Sequence, residues 1–184
     1  MKGLVFTEFI ALVEERFGVA VAERVLSTPG LSDDGAYTAV GYYDHREMLT
    51  LVGALSAETG IPAPALVRTF GEWLFPKLAA NFEFAVRSHP DAFTFLTSLD
   101  GMIHVEVLKL YPNVHLPHVP VVESDHHRLV LEYRSDRPFA DLAEGLLRGC
   151  LAWYREDAEV RREPLAPDGA RAARFTITRR GTAA

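Results

Sequence analysis

Two groups of side chains in this sequence have types and spacings that suit chemistry. The first is a single histidine, His104, within Gly101-Met102-Ile103-His104-Val105-Glu106-Val107-Leu108. On a helix, Leu108 and Tyr111 lie one and two turns further on, so the imidazole sits on an apolar stripe. An imidazole there is either a satisfied core or surface histidine, or a neutral ligand for a metal ion or a haem iron. The second group is Tyr133-Arg134-Ser135-Asp136-Arg137. In an extended chain, residues i, i+2 and i+4 share a face, which predicts that Tyr133, Ser135 and Arg137 point together. Two hydroxyls and one guanidinium fork suit a pair of carboxylates or a phosphate, because charge-assisted bonds to an anion are stronger than neutral ones. Taken alone, the same segment also reads as a polar strand face in water. His126 and His127 are adjacent and would point to opposite sides of a strand, so they read as a solvated turn rather than a metal site. Cys150 falls on the apolar side of its helix and reads as a core thiol rather than a redox sensor.

The elements that must position these groups follow from periodicity. Leu4, Val5, Phe9, Leu12, Val13 and Phe17 recur at helical steps, ended by Gly18. A second helix is predicted over Ala20 to Leu26. Asp44 can cap a third, running to about Thr59 and closed by Gly60. Pro62 and Pro64 open helical sequence to Lys77 and again from Leu78 to Val86, with bends expected at Gly71 and Pro76. Asp91 can cap a short helix, and a longer one is predicted from Leu99 to Tyr111, before Pro112, Pro117 and Pro120. The period then changes to two over Arg128 to Ser135, Glu159 to Glu163 and Arg174 to Arg179, which predicts an antiparallel sheet. Between the first two strands, Pro138 to Arg155 reads as a helix. The expected class is α+β: a helical subdomain over 1–62, then a subdomain over 63–184 in which helices pack on a small sheet.

Composition narrows the function. The chain of 184 residues suits one domain with a sizeable core, and 48% apolar residues with 11 Phe supply the material. A net charge of -6 argues against a nucleic-acid partner, whose phosphates are met by Lys and Arg. The single cysteine excludes an internal disulfide and multi-cysteine metal sites, and it suits the cytoplasm. The first seventeen residues are amphipathic, so neither a signal peptide nor a membrane partner is expected.

Several of these features occur in a specific order. The Met1-Lys2-Gly3 start, His104 on its helix, Pro117 thirteen residues later and Tyr-x-Ser-x-Arg at 133 to 137 together resemble the H-NOX (haem-nitric oxide/oxygen binding) family across essentially the whole chain. The resemblance implies a non-covalent haem b buried between the two subdomains. It implies His104 as proximal iron ligand, Tyr133, Ser135 and Arg137 as partners of the haem propionates, and Pro117 pressing on the porphyrin. Buried propionates left unpaired would cost several kcal/mol, which such a trio offsets.

The resemblance also implies a distal gas pocket lined by Val5, Phe9, Leu74, Leu142 and Leu146. Members that hold oxygen stably carry a tyrosine nine residues beyond the motif's first tyrosine, helped by Trp and Asn. Here that position is Leu142, and the aligned partners are Phe9 and Leu74. None donates a hydrogen bond, and a buried donor is worth about 1 to 3 kcal/mol to bound oxygen, roughly a tenfold to hundredfold effect. The expected ligands are nitric oxide and carbon monoxide, with oxygen excluded. Trp73 is the exception to watch: a shift of one position puts an indole donor near the pocket, which is the oxygen-binding alternative.

By the same resemblance the chain is a sensor rather than an enzyme. It would take part in signal transduction by regulating a separate protein, either a histidine kinase or a cyclic-di-GMP enzyme. A haem enzyme of peroxidase type would need a distal acid-base residue. A haem-free module binding some other anion through Tyr133, Ser135 and Arg137 is a further class. Gly71 and Gly145 resemble family glycines thought to act as hinges, and each also reads as a close-packing glycine.

Overall fold

The computed structural model describes residues 1–165, 167 and 169–181. The first helix, α1 (Gly3–Phe17), buries the expected Phe9, Leu12 and Val13 together with Phe6, which was not expected, while Leu4, Val5 and Phe17 are only partly buried; α2 (Val19–Leu26) follows directly. Asp44 caps α3 (His45–Thr59) by accepting the Arg46 N–H at 2.9 Å. The fourth helix, α4 (Ala63–Asn81), runs unbroken past Pro76, where a bend was expected. Leu74, Phe75 and Ala79, on both sides of the proline, are buried. The short α5 (Glu83–Arg87) and α6 (Ala92–Thr97) come next, the latter with a capping box between Asp91 and Thr94.

The single helix predicted from Leu99 to Tyr111 is two elements. Leu99–Ile103 form a π turn, and α7 (His104–Leu110) begins at the histidine. The amides of Met102 and Ile103 both donate to the Ser98 carbonyl, at 2.9 and 3.1 Å, which fits one extra residue into the turn. Side-chain periodicity does not register such an insertion, and π turns are frequent at functional sites.

The sheet has strand order β1-β2-β4-β3, all antiparallel, with β1 (Val121–Ser124), β2 (Arg128–Arg134), β3 (Ala158–Pro164) and β4 (Ala172–Arg179). Strand β1 was not expected. All four of its residues are exposed on this edge, so its sequence carries no alternation to read. His126 and His127 lie in the hairpin turn, where Asp125 accepts the amides of His127 and Arg128 at 2.7 Å each. Helix α8 (Ala140–Trp153) lies between β2 and β3 in the chain and packs on α4.

Two apolar clusters result. One gathers α1, α2, α3, the Leu66, Phe70 and Leu74 side of α4, and Phe139. The other gathers the sheet, α6, Ile103, Val119 and much of α8, with Cys150 fully buried among them. Leu146 of α8 packs against both. Helices α4 and α8 cross at near backbone contact: a methyl on Gly145 would stand 2.1 Å from the Arg68 carbonyl and 2.8 Å from Gly71 Cα. Close packing is therefore the structural reason for both glycines. No single helix among the described residues is long and apolar enough to cross a membrane.

Candidate functional site

His104 occupies the first position of α7, and its side chain is only 18% exposed. Its Nδ1 lies 3.2 Å from Asp100 Oδ1. A carboxylate can only accept, so Nδ1 carries the proton and the lone pair is left on Nε2. Burial lowers the His104 pKa, against the raising effect of Asp100, so the ring favours its neutral form. A neutral imidazole with Nδ1 committed and Nε2 free is the form that ligates iron. Helix α7 itself buries no residue, and Val105, Leu108 and Leu110 are exposed. Little side-chain packing holds this helix in place.

The same Asp100 carboxylate accepts the Val119 N–H at 2.9 Å to each oxygen and faces His118 Nδ1 at 3.1 Å. It thereby fixes the segment that carries Pro117. The His118 and Arg134 backbones exchange two hydrogen bonds of 2.8 Å, joining that segment to the end of β2.

Tyr133, Ser135 and Arg137 are gathered at this end of β2, though not by strand alternation. The strand stops at Arg134, and Ser135 Oγ accepts the Arg137 N–H at 3.1 Å in a turn. Tyr133 is 3% exposed, and burial raises its pKa, against hydrogen bonding to Ser135 and the Phe139 backbone. The Arg137 side chain is 16% exposed; among the described residues its carboxylate neighbour within 4.0 Å is Asp136, at that limit. Burial lowers the pKa of both the Met1 ammonium and His45, and the Arg137 charge lowers each further. Arg137 thus stands near the Met1 amino group and His45, at the end of β2 that carries Tyr133 and Ser135. Asp44 and Asp136 lie close by, and the Arg137 guanidinium together with the Tyr133 and Ser135 hydroxyls suits a pair of carboxylates such as haem propionates.

On the other side, Phe9 and Leu74 are 1% and 2% exposed, and Phe9 stacks edge-on against Phe70 at 5.2 Å. Val5, Leu142 and Leu146 are partly buried against the same cluster. All five predicted distal residues therefore share one apolar region, and none carries a hydrogen-bond donor on its side chain. Trp73 also packs there, with the Lys77 ammonium 4.8 Å from its ring. Its Nε1–H is buried without a hydrogen-bond partner.

The structure does not bring His104 into contact with the Tyr133-Ser135-Arg137 group; Asp100 and the His118 segment connect them. Sequence reading missed Asp100, although its four-residue spacing from His104 is a helical-neighbour signal. It also missed Met1 and His45, which only the tertiary fold carries to Arg137. At the far end of α7, Lys2 Nζ lies 4.9 Å from the Tyr111 ring and 4.4 Å from that of Tyr42, so the first helical region touches this helix.

The family model described as haem-NO-binding matches residues 2–162. Among solved structures, the ferrous unliganded H-NOX protein from K. algicida is 32% identical, covering 100% of this chain and 99% of that one at a TM-score of 0.94. The H-NOX from Shewanella woodyi, solved with IWP-051 in the ferrous carbonyl state, is 40% identical, with coverages of 100% and 97% and a TM-score of 0.84. The S. oneidensis H-NOX in its ferrous nitrosyl state is 25% identical, with coverages of 98% and 100% and a TM-score of 0.89. Comparison with curated proteins gives no match. With both the family model and these relatives spanning most of its length, the chain belongs to the haem-NO-binding, or H-NOX, family of haem-based gas sensors, and its cofactor is haem b.

Proposed function

We propose that this protein senses nitric oxide, takes carbon monoxide as a secondary ligand, excludes oxygen, and passes its state to a separate signalling protein in the cytoplasm. The observation that carries the reading is His104, whose Nδ1 is bonded to Asp100 so that Nε2 is free to ligate. Haem, held by His104, would supply a ferrous iron able to bind a diatomic gas. The remaining functions fall to the chain. Tyr133 and Ser135 would hydrogen-bond the propionates and Arg137 would offset their charge, Pro117 would bear on the macrocycle, and Val5, Phe9, Leu74, Leu142 and Leu146 would keep water and hydrogen-bond donors from the gas. Loss of the iron's hold on His104 would free α7, which has no buried side chain of its own. The region 63–184 would then shift against 1–62. The partner, a histidine kinase or a cyclic-di-GMP enzyme, follows from the resemblance, and the chain's role is regulatory rather than catalytic.

Spectra of the ferrous protein under argon, air, carbon monoxide and nitric oxide test this reading. Air is expected to leave the unliganded Soret band in place, while carbon monoxide and nitric oxide each shift it. A stable oxygen complex would overturn the selectivity claim, and failure to take up haem would overturn the whole reading.

One observation supports a second reading, an oxygen-binding sensor. A buried N–H without a partner costs about 1–3 kcal/mol, so the orphaned Trp73 Nε1–H is a donor in need of an acceptor. Trp73→Phe decides between the two. Under oxygen exclusion the variant keeps the wild-type gas spectra; if Trp73 holds oxygen, wild type forms the oxygen complex and the variant binds it roughly tenfold to hundredfold more weakly.

A further inference from the structure

We infer that Asp100 is a positioning residue for the iron–histidine bond, fixing the tautomer and direction of His104 and tying it to the Pro117 segment. The inference rests on the reading of His104 as iron ligand. Asp100 lies within the π turn, where the extra residue precedes the histidine, and its side chain is 27% exposed. The Asp100–His104 pair is therefore partly shielded from water, where a charge-assisted hydrogen bond is worth more than on an open surface. A carboxylate accepting Nδ1–H makes the imidazole a stronger electron donor through Nε2, and a ligand so held cannot rotate freely.

The geometry gives Asp100 a second task. Its two oxygens grip the Val119 amide at 2.9 Å each, and the adjacent His118 backbone is latched to Arg134, the residue before Ser135. One carboxylate thus ties the ligand to the segment bearing Pro117 and, through the end of β2, to the propionate-binding side chains. In a helix that buries no residue, this side-chain bond is a principal restraint on the angle of the imidazole.

The test uses the ferrous unliganded holoprotein. Resonance Raman spectroscopy reads the iron–histidine stretching band, and transfer of haem to excess apomyoglobin reads retention. Asp100→Asn keeps the size of the side chain and an acceptor for the Val119 amide while removing its charge. It is expected to lower the frequency of the band and to speed haem loss roughly tenfold to hundredfold. Asp100→Glu should recover part of both. An unchanged band and unchanged retention in Asp100→Asn overturn the inference. His104→Ala separates the two levels: a band that survives in that variant overturns the ligand assignment, whereas a band lost there but unmoved in Asp100→Asn overturns only the role of Asp100. If the Asp100 variants fail to fold, wild type still decides. In its diamagnetic ferrous carbonyl form, the His104 Nδ1 proton should resonate downfield as a hydrogen-bonded proton, and an ordinary solvent-exchanging signal overturns the inference.

Discussion

His104→Gly protein reconstituted with haem and free imidazole is expected to bind nitric oxide without the conformational change that the gas produces in wild type. The expectation follows from how α7 is held. Its seven residues bury no side chain, and its contacts run chiefly to the π turn before it. The proposed covalent link from His104 to the iron is then the strongest connection between this helix and the haem. Free imidazole would fill the place of the side chain but transmit no displacement to the backbone, so gas binding could not move the helix. A ligand shifts a conformational equilibrium only by its differential affinity for the two states, and cutting this link removes the difference. Without imidazole the same variant should lose haem by more than the roughly tenfold to hundredfold expected when only a ligand's outer partner is removed. Hydrogen-exchange protection of 99–111, with and without nitric oxide, measures the effect. Were the variant with imidazole to lose protection on gas addition as wild type does, the signal would not run through His104.

That helix also shows where the sequence was legible and where it was not. His104 and Pro117 were readable together through the family resemblance, whereas the apolar stripe expected through Leu108 is not buried, Leu108 being exposed. The π turn was not readable, because an inserted residue alters the hydrogen-bond pattern without altering the side chains that periodicity counts. The sheet divides in the same way. Strand β4 alternates along Ala172–Arg179 because one face is buried, interior β2 buries Leu129, Val130 and Leu131 in succession, and exposed β1 has nothing to alternate. At the site, strand alternation placed Tyr133, Ser135 and Arg137 on a common face, but the chain turns after Arg134 and the three are gathered by that turn. The Met1 ammonium and His45 reach Arg137 from 136 and 92 residues away in sequence, distances over which no local pattern carries information.

Gly145 is where composition is least informative and packing most demanding. In a helix interior, alanine is ordinarily better than glycine by roughly 0.5–1 kcal/mol, because it restricts the unfolded chain. At Gly53, in the exposed interior of α3, an added methyl meets nothing within 4 Å, so Gly53→Ala should stabilise the protein by that amount. At Gly145 the same methyl would stand 2.1 Å from the Arg68 carbonyl and 2.8 Å from Gly71 Cα, and both obstacles are backbone. No side-chain rotation relieves the contact, so α4 and α8 must separate. The neighbouring Glu144, 5% exposed, holds Arg68 of α4 at 2.8 Å across the same crossing, and separation would strain that bond too. The expected loss is about 3 kcal/mol, the upper part of the overpacking range. At roughly 2–4 °C per kcal/mol for a chain of this size, Tm should fall by about 6–12 °C. Thermal unfolding of the holoprotein, followed by circular dichroism for the two alanine variants side by side, measures it. If Gly145→Ala melts with Gly53→Ala or above wild type, the two helices are not locked at this crossing, and the tight α4–α8 contact cannot be the reason for glycine there.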